Sequence, residues 1–261
     1  MIDTHCHILP NLDDGSKSLQ ESLAMFDSAQ KDGIEAIIAT PHINPGRFDN
    51  HIDKIRKSTE LLSEYISQTG HSFPLKFAAE IRLCPELFNW IECGVVPWLS
   101  YDGSKYHLLL ELSTVHYPHG AFAICQRLIE QNIIPVIAHP ERYRYWQNNP
   151  LDMLKFEKLG CEFQITAGSL LGRFREDAKQ FALQMVRENK VSWVASDAHN
   201  LTSRPVRLSD AYECVTEISG TRRANTLFID RPAEIYSCCP GFIPTKVDVT
   251  HTTQEVVTSE I

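Results

Sequence analysis

Long apolar runs are missing from this 261-residue chain. None approaches the roughly 20 residues that a membrane helix needs. The N-terminus has no basic region followed by an apolar core, so neither an export signal nor direct membrane insertion is expected. A basic surplus is missing too. The formal net charge is −8, which argues against nucleic-acid partners and polybasic membrane patches. The eight cysteines show no Cys-x-x-Cys spacing, and Cys238 and Cys239 are merely adjacent. With no export signal, reduced thiols in a cytoplasm are expected. No cysteine has an arginine six positions later, which excludes a thiol phosphatase built on that pair. What remains is ordinary globular material, 43% hydrophobic and 22% charged, with length enough for one α/β barrel or two small domains.

The order of patterns is regular. Met1 to Cys6 is a short apolar run carrying His5 and His7, which fall on one face of a strand; Cys6 faces the other way. Asn11 to Gly15 reads as a turn, and Ser18 with Glu21 as a capping box opening a helix. Gly33 closes that helix, and a strand over 34–39 leads to Thr40-Pro41-His42. A helix over about 49–68 carries the stripe Ile52, Ile55, Leu62 and Ile66. Strands follow over about 74–79, 106–110, 133–138, 161–166 and 191–195. Helices are expected near 85–93, 119–130, 151–159, 178–188, 209–218 and 224–228. About seven rounds of strand, helix, and Gly or Asn imply parallel strands with crossover helices.

The strand ends carry the chemistry. They are His5 and His7, His42, Glu80, Glu111, His139, and Asp197 with His199, with Asp14 in the loop after the first strand. Asp, Glu and His make up 44 of 261 residues, so five later strands ending in this class by chance has odds of roughly one in ten thousand. In a parallel barrel such ends meet at one mouth, whereas an open sheet would string them along a line. Nine imidazole and carboxylate donors exceed the needs of one metal and suit two or three divalent ions.

The motifs His5-x-His7, Asp13-Asp14-Gly15, Thr40-Pro41-His42, His139-Pro-Glu-Arg142-Tyr and Ser-Asp197-x-His199-Asn resemble the polymerase-and-histidinol-phosphatase (PHP) superfamily. They are most similar to its bacterial tyrosine-phosphatase branch, found with capsular polysaccharide genes. The resemblance runs from Met1 to about Tyr236. It implies an α/β fold of the distorted seven-stranded (β/α) barrel type, one domain over 1–238, and a flexible tail over 239–261. It implies two or three divalent ions, commonly manganese, with iron or zinc as alternatives. His5, His7, Glu80 and Asp197 would hold one ion. Glu80 would bridge to a second, held also by Glu111 and His139. Asp14, His42 and His199 would hold the third, although Asp13 competes for the role of Asp14. Arg142 and Arg204 would bind phosphate, with Arg47 a weaker candidate, and His116 and His119 lie in a mouth loop within reach of substrate.

The implied activity is hydrolysis of phosphotyrosine by metal-bound hydroxide. Its substrate would be the phosphorylated tail of a tyrosine kinase of capsule or exopolysaccharide synthesis. Nothing in the residues themselves reads tyrosine. A small-molecule phosphatase such as one for histidinol phosphate, a non-catalytic metal-stabilised scaffold for the kinase, and, least, a nuclease remain open. So does assembly into homo-oligomers.

Overall fold

The structure, a computed structural model, describes residues 1–70 and 73–241. Ten strands are β1 (Ile2–Cys6), β2 (Ala36–Ala39), β3 (His42–Ile43), β4 (Leu75–Phe77), β5 (Glu80–Arg82), β6 (Ser100–Tyr101), β7 (Tyr106–Glu111), β8 (Ile133–Ala138), β9 (Glu162–Thr166) and β10 (Trp193–Ala195). Between and after them run helices α1 (Leu19–Lys31), α2 (Ile52–Gln68), α3 (Leu87–Glu92), α4 (Ala121–Glu130), α5 (Arg144–Asn148), α6 (Pro150–Leu159), α7 (Ala167–Leu170), α8 (Glu176–Arg187), α9 (Ser209–Ser219), α10 (Thr221–Asn225) and α11 (Arg231–Ser237). No helix among the described residues is long and apolar enough to cross a membrane.

The mixed α/β architecture with mostly parallel strands is as expected. One sheet has the order β1-β2-β4 and the other β10-β9-β8-β7-β5-β3, with β6 antiparallel on β7. Among the described residues the hydrogen-bonded ladder does not close into a ring. The strands expected over 34–39 and about 74–79 are each followed by a short further strand. The strand before His42 stops at Ala39 and resumes as β3, and the strand before Glu80 stops at Phe77 and resumes as β5. Pro41 lies in the first break and offers no N–H to a ladder. The lower halves pair in the first sheet and the upper halves in the second.

Local signals behave as their chemistry dictates. Ser18 accepts from the Glu21 amide at 3.1 Å, and Glu21 reaches back to the Lys17 amide at 2.8 Å. Ile52, Ile55, Leu62 and Ile66 are buried on one face of α2. The short elements β6, α5, α7 and α11 escaped the pattern. The helix expected over 224–228 is α10 followed by a π turn over Thr226–Asp230, and α11 then continues the chain. Of the tail expected from 239, Cys239 is buried and its carbonyl accepts from Lys76 Nζ at 3.1 Å; residues 242–261 lie outside the described residues.

Alternation along the strands sorts side chains into two cores. On β7, Leu108 and Leu110 join the large cluster beneath the helices. Leu109 points the other way, into a smaller cluster with Ile38, Val136, Ala138 and Trp193. Glu111, two residues beyond Leu109, shares its face.

Candidate metal centre

Four donors converge at the end of β1. His5 Nε2 and His7 Nε2 are 3.2 Å apart. Each lies 3.3 Å from Glu80 Oε2 and 3.3 Å from Asp197 Oδ1. All four side chains are at most 1% exposed. Tautomers make this cluster diagnostic. Gln164 donates its Nε2 to the Ile165 carbonyl, so its Oε1 faces His5 Nδ1, at 2.6 Å. His5 Nδ1 must therefore donate, leaving a lone pair on Nε2. Likewise His7 Nδ1 lies 2.7 Å from Asp13 Oδ2. Two lone pairs and two carboxylate oxygens thus face one point, and Glu80 Oε2 and Asp197 Oδ1 have no hydrogen-bond partner. Five of the six distances among these donor atoms are 3.2–3.3 Å, a spacing that suits donors about 2.0 Å from a shared cation. The donor set fits a divalent cation.

Asp14 Oδ1 lies 3.4 Å from His42 Nε2 and 3.5 Å from His199 Nε2. His42, His199 and His7 have donor atoms close enough for one ion. His199 Nδ1 donates to the Asp197 carbonyl at 3.1 Å, and its Nε2 is buried without a partner. Burial, aided by nearby His7, holds the His199 pKa down to about 4, so the imidazole is neutral at pH 7. Glu80, Glu111 and His42 form a third group. His139 is not in that group; its Nε2 bonds Glu80 Oε1 at 2.7 Å. Glu111 also pairs with Arg82 at 3.1 Å. Register explains the presence of His42: β3 sets it directly beside Glu80 on β5.

Both arginines meet Asp197. Arg142 Nη2 and Arg204 Nη2 lie 2.6 and 2.5 Å from Asp197 Oδ2. Phe174 lies under both, with ring-centroid distances of 3.7 and 5.7 Å. Burial alone would raise the Asp197 pKa, but Arg204, Arg142 and His5 hold it well below the carboxylate range. The Nε groups of both arginines are buried without a hydrogen-bond partner. Arg47 is exposed and reaches Asp14 only at 3.7 Å. His116 and His119 are exposed on the loop after β7.

Sequence reasoning missed Asp13, Gln164 and Phe174 in these roles. Asp13 was visible as the rival of Asp14; it turns out to orient His7, while Asp14 faces the open side. Burial would raise the Asp13 pKa, but His7 draws it down to about 2. Gln164 and Phe174 carried no signal, because each acts only through a partner on another element. His139 and Asp197 leave their strands with φ of 38° and 50°, a left-handed step that costs about 1–3 kcal/mol and recurs at functional sites.

Over residues 1–237 the chain matches the family described as capsular polysaccharide synthesis, CpsB/CapC. It is 36% identical over 211 residues to tyrosine-protein phosphatase YwqE of Bacillus subtilis, covering 81% of this chain and 82% of that protein. It is 30% identical over 240 residues to tyrosine-protein phosphatase CpsB of Streptococcus agalactiae, covering 90% and 98%. Its fold superimposes, with a TM-score of 0.83 and 32% identity over 93% of this chain and 96% of the other, on a crystal structure from work on YwqE of Bacillus subtilis and CpsB of Streptococcus pneumoniae. Those two are described as unique metal-dependent tyrosine phosphatases. The chain belongs to the CpsB/CapC family of capsular polysaccharide synthesis proteins.

Proposed function

We propose that this chain is a metal-dependent protein-tyrosine phosphatase acting on the phosphorylated tail of a tyrosine kinase of capsule or exopolysaccharide synthesis. The observation that carries the reading is a buried donor cluster in which Glu80 Oε2 and Asp197 Oδ1 have no hydrogen-bond partner, beside two guanidinium groups with unpaired N–H donors. The names of the relatives support the substrate class. In this reading His5, His7, Glu80 and Asp197 hold one ion, and Asp14, His42 and His199 another. Glu111 joins Glu80 around a third, with His42 and His139 adjacent. Manganese suits mixed imidazole and carboxylate ligation without thiolate, as do iron and zinc. Held by these residues, divalent ions would supply a more acidic water and charge relief for the phosphoryl oxygens.

The chain's own residues do the rest. Arg142 and Arg204 each commit one nitrogen to Asp197 and keep others to bond phosphate oxygens in a plane. Gln164 and Asp13 keep His5 and His7 in the tautomer that presents Nε2. A phenolate leaving group needs no dedicated acid.

The finer architecture in this reading is a distorted seven-stranded barrel, with β2 and β3, and β4 and β5, each counted as one stave. Support comes from backbone bonds linking β1 to the segment after β10: Asp197 N to His5 O and His7 N to Ala198 O, both 2.8 Å. The family match over 1–237 supports one domain over 1–238. The reading places the protein in the cytoplasm, where a kinase tail would be met.

Metal-loaded protein should hydrolyse a phosphotyrosine peptide much faster than histidinol phosphate. A folded His139→Ala variant should lose about 100-fold or more in kcat/KM. Full activity in that variant or in metal-free protein, or a preference for histidinol phosphate, would overturn the reading.

A further inference from the structure

A cleft of about 340 Å³ lies beside the arginine pair and outside the donor cluster, with Lys31, Asp32, Arg173, Pro205 and Arg207 among its walls. A small neighbouring hollow shares Arg173, Pro205 and Arg207 with it and adds Phe174 and Arg204. The cleft therefore continues toward the Phe174 ring that underlies both guanidinium groups. Arg207 follows Arg204 by three residues, a chain span of at most about 11 Å.

Its charge runs against that of the whole protein. Three cations face one carboxylate in a chain of net charge −8. That carboxylate is already engaged: Asp32 accepts from the Leu208 amide at 2.6 Å, the Ser209 amide at 3.0 Å and the Ser209 hydroxyl at 2.5 Å. Arg207 touches Asp32 and Asp210 only at 3.5 Å. Lys31 and Arg173 are exposed, and neither has an ion-pair partner among the described residues.

We propose that this cleft is a second anion subsite, taking a negatively charged group, phosphate or carboxylate, about three residues from the phosphotyrosine on the same extended peptide. The spacing follows from the span to Arg204 and a rise of about 3.3 Å per extended residue. The proposal rests on the phosphatase reading for the first anion only. Cations at the cleft attract an acidic peptide toward an otherwise acidic protein, an effect that salt screens.

The test compares metal-loaded wild type with a Lys31→Ala/Arg173→Ala double variant. Substrates are p-nitrophenyl phosphate, a phosphotyrosine peptide with neutral flanks, the same peptide with a second phosphotyrosine three residues away, and the same peptide with two glutamates there. Wild type should show a KM about fivefold lower for at least one doubly anionic peptide than for the neutral one, with kcat little changed. The double variant should lose that advantage and keep wild-type kcat/KM for p-nitrophenyl phosphate. An advantage for the doubly phosphorylated peptide alone assigns phosphate; one for both assigns any anion. Equal KM values in wild type, or an advantage that survives in the variant, overturn the subsite. Absence of p-nitrophenyl phosphate hydrolysis in wild type counts against the phosphatase reading instead. In that case fluorescence anisotropy of the labelled peptides decides the subsite by the same comparison.

Discussion

At the scale of single residues, the centre depends on which nitrogen of each imidazole is left bare. His5 and His7 both spend Nδ1 on a buried acceptor, Gln164 and Asp13 respectively. In the absence of a cation the cluster favours a proton on His7. Burial opposes that proton, but Asp13, Asp197 and Glu80 raise the His7 pKa well above its usual value. Metal and proton therefore compete for one lone pair, and metal affinity falls as pH falls. Asp13→Ala and Gln164→Ala should each weaken metal binding by about 10- to 100-fold, read by competition with a chromogenic chelator; unchanged affinity would show that the tautomers are held otherwise. The spacing of His5 and His7 already announced that both face one way. Their outer partners were illegible, because a hydrogen bond from residue 5 to residue 164 leaves no local trace.

At the scale of elements, the strands work as rails whose tips are held by polar ties. Asp3 on β1 accepts from the Ser196 amide at 2.9 Å and the Ser196 hydroxyl at 2.5 Å, just after β10. Burial raises its pKa to about 6 despite those bonds. Between pH 6 and about 4 the native protein thus holds a proton that the unfolded chain lacks. Asp3 then adds stability as pH falls through 6, and that gain is lost as pH rises. Asp3→Asn should flatten this part of the stability–pH curve by about 1–3 kcal/mol relative to wild type, measured by urea unfolding at pH 4.5 and 7. The turn after β1 is equally exacting. A Cβ on Gly15 would sit on the His7 carbonyl oxygen and 2.5 Å from His7 Cβ. Gly15→Ala should displace His7, cutting activity at least about tenfold and metal content with it; a fully metallated, active variant would contradict that. Hydrophobic periodicity made most helices and strands legible to within a few residues. The short strands that resume at His42 and Glu80 were not, because two or three residues are too few to show a period and the apolar Ala78 and Ala79 run through the second break.

At the scale of the whole molecule, the arrangement gathers carboxylates and imidazole lone pairs at one end of the strands, and Glu80 Oε2 and Asp197 Oδ1 stay without a hydrogen-bond partner. The two arginines take one oxygen of Asp197 and leave its other oxygen facing His5 and His7. A bound cation should stabilise the native state by about 4 kcal/mol at a thousandfold excess over its dissociation constant. Chelation should then lower Tm by roughly 8–16 °C, reversed by adding back manganese; an unchanged Tm would mean the cluster holds no ion. The chain alone determined the alternation of strands and helices, the class of side chain at each strand end, and the family those motifs resemble, because these depend on neighbours in sequence and on spacing. Only the tertiary structure decided that His42 joins Glu80 and Glu111 while His139 bonds the other oxygen of Glu80, that Asp13 orients while Asp14 faces outward, and that one phenyl ring underlies both arginines. Those outcomes depend on the register between strands and on where each chain turns after its last rung, and both are set by packing among residues far apart in the chain.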